Sequence, residues 1–262
     1  CLGECLTIIV RNEKMNKLLI LLLLSTPLFA QEDLIVIEDA ACGFGALYRG
    51  KHVGNFGNAG CFSFHPRKSI TTGEGGMITT NDKKLYQKFL ILRDHGKQNP
   101  LLNIHNELGS NWRLSEIQGL LGVQQLKKAK SIVSERIKIA SIYDKILKNT
   151  SNMRLLEIPS HIKSSYYKYI IFVNKNIRDK VKKMMSEKFG ISLPGEVYNH
   201  LCHSQPVFKK HKSKIIKKGD YSFKSAKKIS SEQLCLPLYP GLKKYEIRYV
   251  VNSLKKIIKR LT

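Results

Sequence analysis

The sequence predicts an α/β protein with a mainly parallel sheet and a smaller C-terminal α/β unit. Three observations carry this. The apolar run Leu34-Ile35-Val36-Ile37 has the length and β-branched content of a buried parallel strand. The apolar stretch Gly60-Cys61-Phe62-Ser63-Phe64 and then Met77-Ile78-Thr79-Thr80 follow at short spacing, separated by glycine-rich turns. Beyond residue 149 the pattern changes to a smaller α/β unit with a strand, a helix and a terminal helix.

Taken in order, residues 1–30 are atypical. The chain opens on Cys1, and Met15-Asn16-Lys17 precedes the apolar run from Leu18 to Leu24. With Ser25 to Ala30 this has the form of a secretory signal, too short to span a bilayer. The alternatives are a frame-disrupted gene segment, or the place of an amphipathic helix ahead of the first strand. The expected domains are the leader at 1–30, an incomplete large domain at 31–130, and a linking helix with a small domain at 131–262.

Asp39 directly follows the first strand, at the carboxyl end of the sheet, where open α/β folds bind ligands. Lys68 ends the segment His65-Pro66-Arg67-Lys68 after the second strand, ahead of Thr72-Gly73-Glu74-Gly75-Gly76. A lysine amine forms a Schiff base with an aldehyde, and a carboxylate keeps the ring nitrogen of pyridoxal phosphate protonated. The pair therefore fits a pyridoxal-phosphate site, while on spacing alone a strand-end cap and one solvated lysine among many is the commoner reading.

Further along, Asn81-Asp82 predicts a cap for a helix from Lys83 to Leu92, with Leu85, Phe89 and Leu92 on its inner face. His95 sits in the following loop and is a candidate base. Ser115 predicts the start of a long helix carrying Ile117, Leu120, Leu121 and Leu126, and a further helix spans Ile132 to Leu147. Tyr166 to Val173 predicts a strand, Arg178 to Phe189 a helix closed by Gly190, and Glu246 to Ile258 a terminal amphipathic helix.

Net charge is +25, from 45 basic against 20 acidic residues. The lysines are scattered over helix faces and no aromatic-interleaved basic stripe appears, so nucleic acid is not expected as a partner. The charge still favours an anionic substrate. The cysteines at 1, 5, 42, 61, 202 and 235 form no CxxC pair, and no zinc spacing is present. Cys61 and Cys235 are expected as buried thiols in a reducing compartment.

The motifs Val36-Ile37-Glu38-Asp39-Ala40-Ala41, Gly54-Asn55-Phe56-Gly57, Phe62 to Lys68 and Thr72-Gly73-Glu74-Gly75-Gly76-Met77 together resemble the DegT/DnrJ/StrS family of pyridoxal-phosphate enzymes. That family aminates nucleotide-linked keto-sugars. The resemblance runs from about residue 31 to the end and includes Leu108 to Gln118, Gly195 to Tyr198, Cys202 to Phe208 and Leu236 to Leu242. It implies fold type I and transamination in cell-surface polysaccharide or glycan biosynthesis. Pyridoxal 5'-phosphate would be the cofactor, glutamate the amino donor, and the protein a cytoplasmic homodimer.

It also implies roles. Lys68 is the Schiff-base lysine, Asp39 pairs with the pyridine nitrogen and Ser63 bonds the cofactor phosphate. Asn111 reaches the phosphate in the other subunit, and Tyr198 and His203 lie near the substrate. Cys42 stands against the ring where the family usually has Gln or His. The family's segment ahead of the Asp39 strand, with a phosphate-binding turn and a stacking aromatic, is not found, so the large domain is expected to be incomplete. Two alternatives stay open: an inactive remnant that partners an intact copy, and a secreted or membrane-associated basic protein exported through residues 15–30.

Overall fold

The computed structural model describes residues 7–12, 17–22, 34–193, 200–210 and 223–262. They fall into two units. One takes in the described residues before Glu135 together with Ile158–Tyr167; the other holds Glu135–Glu157 and Lys168–Thr262.

The first unit is built on a five-stranded sheet. Its strands are β1 (Thr7–Asn12), β2 (Lys17–Leu22), β3 (Leu34–Asp39), β6 (Ala59–Ser63) and β7 (Gly76–Thr79), in the order β2-β1-β3-β6-β7. β3 and β6 run parallel, with Asp39 opposite Cys61. The pairs β1–β2, β1–β3 and β6–β7 are antiparallel. The sheet is thus mixed, with its parallel step at the centre, where the sequence predicts a mainly parallel one. The difference comes from two places. Residues 7–12 and 17–22, read as part of a leader or a helix, are strands: 7–12 pair with β3, and 17–22 pair with 7–12. The turn between β6 and β7 folds β7 back along its neighbour, so Ser63 faces Gly76.

Two short strands, β4 (Leu47–Tyr48) and β5 (Lys51–His52), form a hairpin. A later strand of this unit, β9 (Ile162–Lys163), pairs with β4. The Arg49 N–H also donates to the His161 carbonyl at 2.7 Å. This returns residues 158–167 to the first unit.

Helix α1 (Lys83–Arg93) starts where expected. Asp82 caps it by accepting from the N–H groups of Lys84 and Leu85 at 2.7 and 3.1 Å. Helix α2 (Glu116–Leu147) is one continuous helix rather than two. Ser115 and Gln118 cap its start reciprocally: Gln118 Oε1 accepts the Ser115 N–H at 3.0 Å and Ser115 Oγ the Gln118 N–H at 3.3 Å.

The second unit has a three-stranded antiparallel sheet in the order β11-β10-β8, from β8 (Met153–Leu155), β10 (Tyr169–Val173) and β11 (Gln233–Leu236). All of β10 and β11 is buried. β10 starts later than expected because Tyr166 takes a positive φ of 50°. Helices α3 (Lys175–Phe189), α5 (Lys224–Glu232) and α6 (Lys244–Leu261) pack on this sheet or on one another. α3 ends at Gly190, whose φ of 65° is the left-handed cap the sequence predicts. Among the described residues no helix is long and apolar enough to cross a membrane.

Candidate active site

The site grows from a buried carboxylate. Glu38, fully buried near the end of β3, accepts the N–H groups of Gly54 and Gly57, each at 2.6 Å, and of Phe56. A buried charge is tolerable only when hydrogen bonded this fully. The 54–57 turn is thereby pinned to the sheet. Gly60 sits so close beneath it that a Cβ would meet the Gly54 backbone at 2.4 Å. Sequence reasoning placed Glu38 in a motif without a task. Its signal was a lone acid inside an apolar strand beside a glycine-rich turn, a combination that demands buried donors.

The strand then delivers Asp39 to its carboxyl end, with the side chain exposed. Its Oδ1 accepts the Ala41 N–H at 3.1 Å, which starts the turn that carries Cys42. The Gly43 N–H to Ala40 carbonyl bond, at 2.9 Å, closes that turn. On the neighbouring parallel strand Cys61 lies opposite Asp39. Burial first, and then the Asp39 carboxylate, raise the Cys61 thiol above its ordinary pKa. Two residues on, Ser63 Oγ accepts the His65 N–H at 3.3 Å.

After β6 the chain turns through His65, whose carbonyl accepts the Lys68 N–H at 2.9 Å. This directs the Lys68 side chain back over the strand ends. Its Nζ lies 3.0 Å from Cys42 Sγ and 4.9 Å from the centre of the Tyr167 ring. The lysine is half-buried. The structure therefore brings together Lys68 and Cys42 directly, and it sets Asp39 and Ser63 on the ends of adjacent parallel strands. Tyr167 was missed, because it lies 99 positions from Lys68 (167 − 68) and was read as part of a strand.

Asn111 is exposed and bridges backbone to backbone with Asp94, whose carboxylate holds Arg113 at 2.6 Å. His95 has a φ of 57° and ties the loop down: its N–H donates to the Ser110 carbonyl and its own carbonyl meets the His105 ring. His203 belongs to the second unit. Its ring stacks on Phe223 with centroids 3.9 Å apart, beside a cleft of about 570 Å³ lined by Lys175, Arg178, His200 and Lys227 among others. Tyr198 lies outside the described residues.

Comparison with known proteins decides the family. The model of the DegT/DnrJ/EryC1/StrS aminotransferase family matches residues 26–255. The chain belongs to this family. It is 30% identical over 228 residues to the GDP-perosamine synthase of Escherichia coli O157:H7, covering 86% of this chain and 58% of that protein. It is 28% identical over 228 residues to the UDP-4-amino-4,6-dideoxy-N-acetyl-beta-L-altrosamine transaminase of Campylobacter jejuni, covering 86% and 59%. Among solved structures it is similar to Helicobacter pylori PseC, an aminotransferase involved in the biosynthesis of pseudoaminic acid. That match has a TM-score of 0.75 at 29% identity, over 86% of this chain and 59% of the other. The fold is accordingly that of sugar aminotransferases, and the chain spans about three fifths of the length of these relatives.

Proposed function

We propose that this chain takes part in pyridoxal-phosphate-dependent amination of a nucleotide-linked keto-sugar, in polysaccharide or glycan biosynthesis, with Lys68 as the catalytic residue. The observation that carries the reading is the position of Lys68 Nζ, held at the carboxyl ends of β3 and β6 against the turn that follows Asp39. The residues present fit the cofactor. Asp39 is exposed and has one oxygen engaged by a backbone N–H, so further lone pairs can accept a pyridinium proton. Ser63 Oγ already accepts a backbone N–H, which leaves its hydrogen to donate to a phosphate oxygen.

When bound, pyridoxal phosphate supplies an electron sink for the carbon that loses its proton. Lys68 would hold the group through its aldehyde and, when free, its Nζ would carry a proton between the substrate carbon that bears nitrogen and the cofactor carbon. Asp39 would keep the ring nitrogen charged, and Ser63 would hold the phosphate. Glutamate is the amino donor in this reading. The positive net charge draws in an anionic nucleotide-sugar. In this reading the protein is a homodimer of the cytoplasm, Asn111 reaches the partner's phosphate site, and Tyr198 and His203 are the weaker candidates for substrate contact.

A second reading, an inactive family member that partners a complete copy, is favoured by one feature: the Lys68 amine rests on Cys42 Sγ, where the family usually has Gln or His. The two readings separate in one experiment. Pyridoxal phosphate is added to the purified chain and the visible absorbance is recorded, followed by amine transfer from glutamate to GDP- and UDP-linked 4-keto-sugars. A band that disappears in Lys68→Ala, together with aminated product, supports catalysis. No band and no product in the chain alone, with product only on mixing with a complete family member, supports the partner role.

A further inference from the structure

We propose that Cys42 and Lys68 form a reversible oxidative cross-link, a sulfur–nitrogen bond that takes the lysine amine out of service. The geometry points to it directly. Cys42 Sγ and Lys68 Nζ are 3.0 Å apart, already in hydrogen-bond contact. Both groups are half-buried rather than sealed, so a molecule as small as hydrogen peroxide reaches the sulfur. Each partner is fixed from its own backbone: Cys42 by the turn closed between Gly43 and Ala40, Lys68 by the turn closed to His65. The Tyr167 ring, 4.9 Å from Nζ, flanks the amine.

The chemistry runs in two steps with hydrogen peroxide as oxidant. In the first, Cys42 Sγ attacks one peroxide oxygen. An S–O bond forms, the O–O bond breaks, sulfur loses two electrons, and the peroxide leaves as water, giving a sulfenic acid. In the second, Lys68 Nζ displaces the hydroxyl from sulfur. An N–S bond forms and the S–O bond breaks. The departing hydroxide takes one proton from the ammonium and solvent takes a second, so nitrogen keeps one hydrogen. A sulfenic acid ordinarily condenses with whatever nucleophile lies in reach, and here the amine lies against it. Added thiol reverses the link by attacking sulfur and releasing the lysine.

Cys61 provides an internal contrast. Its thiol is held in the unreactive, protonated form by burial and by Asp39. Cys202 is exposed, and so it is the control for unselective oxidation.

The cross-link itself does not depend on the proposed function; its consequence does, because a lysine bonded to sulfur cannot hold an aldehyde. The test treats the purified full chain with equimolar hydrogen peroxide, then digests it under non-reducing conditions and maps the peptides. The expected product is a joined pair of peptides, Cys42 to Lys68, that separates on adding dithiothreitol. In Lys68→Arg the pair is absent and Cys42 is instead trapped by dimedone as its sulfenic acid. In Cys42→Ser nothing joins to Lys68. Dimedone trapping or sulfinic acid at Cys42 in the native chain, without a joined pair, overturns the proposal. So does an unmodified Cys42 under conditions that oxidise Cys202. If the pair forms but pyridoxal phosphate never binds, the proposed function fails and this inference stands. If the cofactor binds and no pair forms, the reverse holds.

Discussion

The two units bury apolar surface in opposite ways. The second is closed: Ile171, Leu234, Ile247 and Leu254 have no exposure at all, and every residue of β10 and β11 is buried. The first leaves an apolar face open. Ile117 is 81% exposed, Leu120 66% and Leu108 99%, and α1 buries none of its residues. The first unit still has an apolar core, with Ala40, Ala46 and Val53 packed together and Phe62 against them. To this it adds a polar, local scaffold: the Glu38 carboxylate on three backbone donors, and glycines that let the 54–57 turn touch the sheet. One unit is thus closed by packing, while the other, which carries the candidate site, adds a hydrogen-bonded scaffold and leaves large apolar side chains exposed.

The contrast can be broken most forcefully in the closed unit. Leu254→Ala removes a fully buried side chain from α6 and should cost about 2–5 kcal/mol, read as a lowered denaturant midpoint. A loss well under that range would mean the core there is looser than its burial implies. In the open unit the corresponding change is polar. Glu38→Gln replaces one acceptor by a donor facing backbone N–H groups and should cost about 2–3 kcal/mol. Hydrogen exchange should show the amides of Gly54 and Gly57 losing protection first.

The open face is tested by assembly rather than stability. The double change Ile117→Glu and Leu120→Glu should shift the chain from dimer to monomer in sedimentation, with a stability change within about 0.5 kcal/mol for such surface positions. A wild-type chain that already sediments as a monomer at micromolar concentration would remove the homodimer from the account.

The smallest effect concerns Cys61. Its raised pKa means the folded state favours the thiol. That contribution to stability is present below the unfolded pKa and fades as pH rises through the folded one. Alkylation of Cys61 should be slow at neutral pH, accelerate only above the ordinary thiol range, and speed up modestly in Asp39→Asn. Equal rates at Cys61 and the exposed Cys202 would contradict this.

Legibility in the sequence followed the same division. The Asp82 and Gly190 caps and the strands at the site were readable because local chemistry fixes them. That Asp39 and Lys68 belong to one site was an expectation from motif and resemblance; the contact of Lys68 with Cys42 was not readable. The antiparallel pairing of β2 with β1, and of β1 with β3, did not show, because an apolar run reads alike as leader, helix or strand. The exposure of Ile117 and Leu120 was not readable, because periodicity reports which side of a helix is apolar, never what covers it. Tyr167 escaped because its neighbour Lys68 is distant in the chain and the link is made by the short pairing of β4 with β9.

The central claim is that Lys68 is the amine that holds pyridoxal phosphate. The most direct measurement incubates the chain with equimolar cofactor, reduces it with borohydride and locates the pyridoxyl group by peptide mapping. The account predicts a single dominant adduct on Lys68, lost in Lys68→Arg. Label spread over the other lysines with none enriched at Lys68 would contradict it.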